Sequence, residues 1–251
     1  MKKLLLLSLI ISLCLYIAVP VYAASIGGAE TQGKGKIAVG VDQDFVFNRD
    51  MKHTKGAEGV DWGKVNIDSM SKTTAKISYG LFDNVDVYTK LGIADAKMKG
   101  KANDPWLGSE ADYGADTNNA FVWGLGAKAT YEFKENWLLG IDAQYLRDAH
   151  NGTNVSYTGA DNWKAKYVFQ EWQVAPYVAT RIGDFVPYLG MKYSDLRGDH
   201  KDANDKLKFK ADNNWGVFTG LDYKMTQNLS LNVEGRFVDE TAMSLGATWT
   251  F

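Results

Sequence analysis

Three histidines, His53, His150 and His200, are the side chains in this 251-residue chain best suited to moving a proton or holding a metal. Two stand beside carboxylates, in Asp148-Ala149-His150 and Asp199-His200-Lys201-Asp202. Such neighbours suit an Asp–His pair or a small ligand set. All three fall in long polar segments, where histidines and aspartates are most often simply solvated. No G-x-S-x-G, H-E-x-x-H, P-loop or EF-hand pattern accompanies them. No catalytic residue, metal ligand or cofactor is therefore assigned, and the chain reads as a non-enzyme. Loop acids (Asp112, Asp116, Asp202, Asp205) and loop lysines (Lys201, Lys206, Lys208, Lys210) remain as candidate ion-contact groups.

A second set of charges keeps a stricter spacing, and the elements that position it explain why. Ten segments alternate apolar and polar residues with a period of two: 35–47, 65–82, 85–96, 119–133, 137–148, 166–182, 185–197, 213–225, 229–238 and 241–251. They are rich in Val, Tyr, Phe, Trp and Thr, and none carries a 3.6-residue apolar stripe. The segment Phe121, Trp123, Leu125, Ala127, Ala129, Tyr131, Phe133 is apolar on one face, with Lys128 and Glu132 on the other. The last segment places Met243, Leu245, Ala247, Trp249 and Phe251 on one side and small polar residues on the other. Tight turns at 83–84, 134–136, 183–184 and 226–228 alternate with long polar connections at 48–64, 97–118, 149–165 and 198–212.

Ten strands with large apolar residues on one face would overfill a barrel if that face pointed inward. Glycines such as Gly40, Gly92, Gly126, Gly140 and Gly220 share the polar phase, which suits a crowded interior. The expected fold is all-β: a closed antiparallel up-and-down transmembrane β-barrel of ten strands, with eight or twelve as alternatives. Short turns lie at one end and long loops at the other. Aromatics near strand ends (Tyr79, Phe133, Trp137, Phe185 and Trp249 at the turn side; Phe45, Phe47, Trp123, Tyr145, Trp163 and Trp215 at the loop side) suggest two interfacial girdles.

The inward phase then collects nine cations, Lys36, Lys72, Lys76, Lys90, Lys128, Arg181, Lys192, Lys224 and Arg236. It also collects nine carboxylates, Asp42, Asp44, Asp68, Asp86, Glu132, Asp142, Glu171, Asp222 and Glu234. In so narrow a space an unpaired charge is expensive, so the balance favours a closed, ion-paired interior over an open pore. A single-sign ring would have favoured an ion channel.

The first 23 residues, MKKLLLLSLIISLCLYIAVPVYA, have the basic, apolar and small-residue regions of a secretory signal cleaved after Ala23. The lone Cys14 leaves with it, and losing Lys2 and Lys3 takes the net charge from −2 to −4. That balance excludes a strongly basic nucleic-acid binder. Residues 24–34 are expected as a short periplasmic segment and 35–251 as the barrel.

Tyr79-Gly80-Leu81-Phe82-Asp83-Asn84-Val85-Asp86-Val87-Tyr88 with Lys90-Leu91-Gly92, and Pro187-Tyr188-Leu189-Gly190-Met191-Lys192-Tyr193, resemble recurrent segments of bacterial outer-membrane β-barrel proteins, the small opacity-like and porin-like barrels. The terminal Phe251, behind Trp249, Leu245 and Met243, resembles the assembly signal of that class. The resemblance implies location in the outer membrane, contact with its lipid and lipopolysaccharide, and a monomer. It also implies periplasmic chaperones and the barrel-assembly machinery as partners during biogenesis. That class includes adhesins, small-solute porins, integrity proteins and rim enzymes. The expected role is an envelope structural or surface-interaction protein; the alternatives are a narrow porin or a rim enzyme using the loop histidines.

Overall fold

The computed structural model describes residues 24–55, 61–104, 109–201 and 206–251; the signal segment and residues Asp202 and Asp205 lie outside them. The strands are β1 (Ile37–Val46), β2 (Arg49–Lys55), β3 (Asp61–Phe82), β4 (Val85–Asp104), β5 (Ser109–Asp116), β6 (Ala120–Lys134), β7 (Trp137–Tyr157), β8 (Trp163–Thr180), β9 (Phe185–Lys201), β10 (Lys206–Ala211), β11 (Trp215–Lys224), β12 (Leu229–Phe237) and β13 (Ala242–Thr250). All pairings are antiparallel, and no helix occurs among the described residues.

Ten of these strands close one ring, in the order β1–β3–β4–β6–β7–β8–β9–β11–β12–β13 and back to β1. The closing seam pairs Ala38 with Thr250 through Val46 with Ala242, and the Phe251 N–H donates to the Ile37 carbonyl at 2.9 Å. Neither terminal strand is left as an edge. Outside this ring sits a belt of exposed apolar residues, among them Val41, Ile77, Val87, Leu91, Phe121, Leu125, Leu139, Ile141, Leu189 and Leu245. Water would not tolerate such a continuous belt, whereas hydrocarbon requires it.

All four connections expected as long polar loops are themselves largely sheet over their described residues. Strands β3, β4, β7, β8 and β9 run on past the belt, and β2, β5 and β10 join them. The pairs β3–β4, β4–β5, β5–β7, β7–β8, β8–β9, β9–β10, β10–β2 and β2–β3 close a second ring of eight strands. This eight-stranded turret stands on the long-connection end of the ten-stranded barrel. Here β5 takes the place of β6, while β2 and β10 replace β1, β13, β12 and β11.

The turret is filled differently from the barrel beneath it. Its interior holds Met51, Val65, Ile67, Met70, Met98, Val122, Leu146, Val155, Tyr167, Phe169, Leu196, Leu207 and Phe209 as one apolar cluster. The outer face carries Lys97, Lys99, Lys101, Lys166, Arg197, Lys208 and Lys210. Along β4 the inward residues change from Asp86, Tyr88 and Lys90 to Ala94, Ala96 and Met98. Over the same stretch the outward ones change from Val87, Leu91 and Ile93 to Asp95, Lys97, Lys99 and Lys101. Trp163, expected in the loop-side girdle, instead packs against the turret core near the tip of β8. The girdle at this level is formed by Trp123 with Tyr145, and by Trp172, Tyr193 and Trp215 in successive contact.

Candidate functional site in the lumen

The lumen of the ten-stranded barrel is occupied by the chain's own N-terminal segment. Residues 24–34, expected as a periplasmic segment, fold back inside: Ala24, Ser25, Ile26 and Ala29 are buried. Glycine makes the path possible at Gly27 and Gly28, whose φ values of 63° and 95° turn the chain between lysine side chains. A Cβ at Gly27 would lie 2.8 Å from Lys76 Nζ.

The wall satisfies this plug from all sides. Lys90 Nζ donates to the Ser25 carbonyl at 2.8 Å, Lys76 Nζ to that of Ile26 at 3.2 Å, and Lys128 Nζ to those of Ile26 (2.9 Å) and Gly28. In return the Ser25 N–H donates to Asp44 (3.2 Å), the Ile26 N–H to Glu234 (3.3 Å) and the Ala29 N–H to Asp222 (2.7 Å). Tyr177 Oη donates to the Ala29 carbonyl at 2.9 Å, and Lys76 sits 4.3 Å over the Tyr88 ring. The inward glycines give the rings room to lie along the wall: a Cβ on Gly126 would strike Tyr88, and one on Gly140 would strike Tyr177.

At the turn-side mouth Glu30 is clamped by Arg181 and Lys224, each at 2.6 Å. Burial alone would raise the Glu30 carboxyl, but the hydrogen bonds and charges of Lys224 and Arg181 outweigh it and hold the group below the ordinary glutamate range.

Above the plug lies a network sealed from solvent. Arg236 meets Asp44 (3.0 Å), Glu234 (3.0 Å) and Glu240 (3.5 Å). Arg49 meets Glu171 (2.7 Å), Glu240 (3.4 Å), Asp239 (3.7 Å) and the Ser194 hydroxyl (2.7 Å). Lys192 meets Asp239 (3.0 Å) and Glu240. Asp239 and Glu240 come from the short last hairpin, which dips into the lumen with Val238 at φ 85°.

Of the charges assigned to the inner face, Asp42, Asp44, Lys72, Lys76, Asp86, Lys90, Lys128, Asp142, Glu171, Lys192, Asp222, Glu234 and Arg236 are buried there. Lys36, Glu132, Arg181 and Lys224 lie at the open mouth instead, where Arg181 bridges Glu30 and Glu132. Asp68 is a correction. A register shift between Ile67 and Ser69 puts it on the outside of the turret, 2.6 Å from Lys99. Sequence reading missed Arg49, which opens β2 inside a segment read as a loop, and Asp239 and Glu240, which lie in the last hairpin turn where no strand phase applies. With them, the buried lumen below the turret core holds seven cations (Arg49, Lys72, Lys76, Lys90, Lys128, Lys192, Arg236). It holds nine carboxylates (Asp42, Asp44, Asp86, Asp142, Glu171, Asp222, Glu234, Asp239, Glu240).

The histidines are not loop residues. His53, His150 and His200 lie on β2, β7 and β9 in the inward phase of the turret. His150 Nε2 contacts Asp148 at 3.1 Å and Nδ1 the Asn118 carbonyl at 2.9 Å; His200 Nδ1 contacts Tyr167 Oη at 2.8 Å. His53 packs edge-on to Phe209. They join the turret core rather than an open rim.

A closed antiparallel barrel with an apolar outer belt, aromatic girdles and a polar interior defines an outer-membrane β-barrel protein. The outer membrane protein beta-barrel domain family matches residues 107–251, and the chain belongs to that family. Solved structures with a similar fold include the outer membrane protease OmpT from Escherichia coli (14% identity, TM-score 0.48, covering 90% of this chain and 100% of that one). Another is OprG from Pseudomonas aeruginosa (11%, 0.42, 88% and 99%). A third is the translocator domain of the autotransporter NalP from Neisseria meningitidis (14%, 0.47, 87% and 89%). No curated protein matches the chain.

Proposed function

We propose that the chain is a sealed outer-membrane barrel that serves as an envelope structural and surface-interaction protein, without enzymatic activity. The observation that carries this reading is the continuous filling of its axis. Plug, ion-pair network and apolar turret core succeed one another from the short-turn mouth to the extracellular end. A narrow porin would require both the plug and the turret core to move aside.

The partner best supported by surface chemistry is the phosphate-bearing head group of lipopolysaccharide. On the outer face of β8, β9, β10 and β2, register aligns Lys166, Lys201 and Lys206 in one row, and Gln170, Arg197, Lys210 and Lys52 in another. Lys208 lies between the two rows. Asp50, Asp195, Asp199 and Asp212 share this face, the last three ion-paired with Arg197, Lys208 and Lys52, which leaves seven cations against four carboxylates. The lower row sits directly above the Trp172–Tyr193 girdle, the level of lipid phosphates. On the opposite face Lys97, Lys99 and Lys101 are each paired with a carboxylate, so that side offers little net charge.

Two measurements test the reading. Purified protein in planar bilayers should give no steady single-channel current, and stable ion-selective openings would refute the sealed lumen. Bisphosphorylated lipid A should raise the midpoint of heat-modifiable gel migration, and its dephosphorylated form should not. Equal effects of the two lipids would refute the phosphate-docking face.

A further inference from the structure

The plug begins at a point where several buried acceptors of the lumen lack a donor. Ala24 is 1% exposed, and its carbonyl accepts from Gln144 Nε2 and Gln173 Nε2, both at 3.2 Å. Asp44 Oδ1 accepts the next N–H of the chain. The remaining polar atom of each of these side chains, the acceptors Gln144 Oε1, Gln173 Oε1 and Asp44 Oδ2, has no hydrogen-bond partner among the described residues. The same holds for Glu171 Oε2, one inward step above Gln173 on β8. All four side chains are at least nine-tenths buried. Independently, the buried lumen holds seven cations against nine carboxylates in formal count, so a further cation there improves the balance.

We propose that the lumen is a binding site for this chain's own processed N-terminus, with the α-ammonium of Ala24 as the group that completes it. The inference rests on cleavage after Ala23. An endopeptidase adds one water across the Ala23–Ala24 peptide bond, leaving a carboxylate on Ala23 and an amine on Ala24 that is protonated at neutral pH. A peptide N–H offers one donor and no charge, whereas the ammonium offers three donors and a full positive charge. Its three protons are offered to the unpaired acceptors of the side chains that already hold the start of the plug, Gln144, Gln173 and Asp44, and to Glu171 beyond them. Charge in the lumen becomes eight cations against nine carboxylates. The unprocessed chain cannot make this contact, so cleavage must precede seating of the plug, and the finished barrel carries its processing record inside.

The test uses the mature protein extracted from outer membranes, with its N-terminus established by intact mass. Reductive methylation of the folded barrel should modify exposed Lys99 at the normal rate. It should modify the Ala24 amine at least about ten-fold more slowly than after heat unfolding, as expected for a buried paired charge. Labelling of Ala24 at the unfolded rate, or a mature chain that begins elsewhere, overturns the proposal. A second arm refolds the mature chain with and without an N-acetyl group on Ala24. Acetylation should speed unfolding at least about ten-fold, while identical unfolding rates would overturn the proposal. Because labelling is done on the unmodified chain, it decides the matter even if the acetylated chain fails to refold. Neither arm depends on conductance, so failure here is distinguishable from failure of the sealed-barrel reading.

Discussion

The barrel and the turret share five strands and one alternation, yet their polarities are opposite. In the barrel, Leu91 and Ile93 face out and Lys90 faces in; a few residues further along β4, Lys97 and Lys99 face out and Met98 faces in. Backbone pairing is indifferent to this change, because period-two alternation satisfies both arrangements. What differs is the medium outside. Hydrocarbon takes the apolar face and leaves the charges to pair across a narrow lumen, whereas water takes the charged face and drives the apolar one into a core. The position of the switch marks the outer boundary of the membrane.

The sharpest way to break this comparison is to give each region the other's interior. Met98→Lys places an uncompensated charge in the turret core and should cost about 3–5 kcal/mol, read from urea unfolding. Its neighbour Lys99→Leu should change stability by no more than about 0.5 kcal/mol, since that position faces water. Arg49→Ala removes a buried cation that touches Glu171, Asp239 and Glu240, and should likewise cost about 3–5 kcal/mol. If Arg49→Ala cost less than a surface pair, the lumen would be wet rather than sealed. On the lipid face, Leu125→Arg should cost about 2–4 kcal/mol in bilayers.

Much of the barrel was legible because lipid imposes a strong pattern. The alternation through Phe121–Phe133 and Met243–Phe251 fixes both strand phase and outward face, and the ten membrane strands follow from it. The turret was harder to read although its alternation is as regular. Lys97-Met98-Lys99-Gly100-Lys101-Ala102 and Lys206-Leu207-Lys208-Phe209-Lys210-Ala211 repeat every second residue, but with lysine on the outer face. A search for apolar outward stripes reads them as solvated loops. The misplacement of Asp68 has a local cause, the register shift beside it, which no alternation can reveal. Nothing in Ala24–Lys34 announces a plug either. Its small residues and glycines carry no period, and apart from Asp44 the partners named for them are more than 40 residues away, as at Lys76, Lys128 and Asp222.

Smaller effects sharpen the contrast at the two ends. Glu30, outside the membrane strands, has its carboxyl held low in the folded protein, so its stabilisation is present above the ordinary glutamate range and is lost as pH falls through its lowered value. Glu30→Gln should therefore lower the heat-modifiability midpoint at about pH 7, with the difference from wild type vanishing in acid. The smallest change expected is a gain. Val238 holds a left-handed conformation that a β-branched residue tolerates poorly, and its side chain is exposed. Val238→Asn should stabilise by about 1 kcal/mol, measured by denaturant midpoint, because asparagine accepts this conformation more readily.

The membrane boundary can be measured directly along one strand. Spin labels placed singly at Val87, Leu91, Ile93, Lys97, Lys99 and Lys101 on β4 would be compared in bilayers for collision with oxygen and with a water-soluble nickel chelate. The first three should favour oxygen and the last three the chelate, with the crossover between Ile93 and Lys97. Equal chelate access at all six positions would contradict the account, because the apolar belt would then face water rather than lipid.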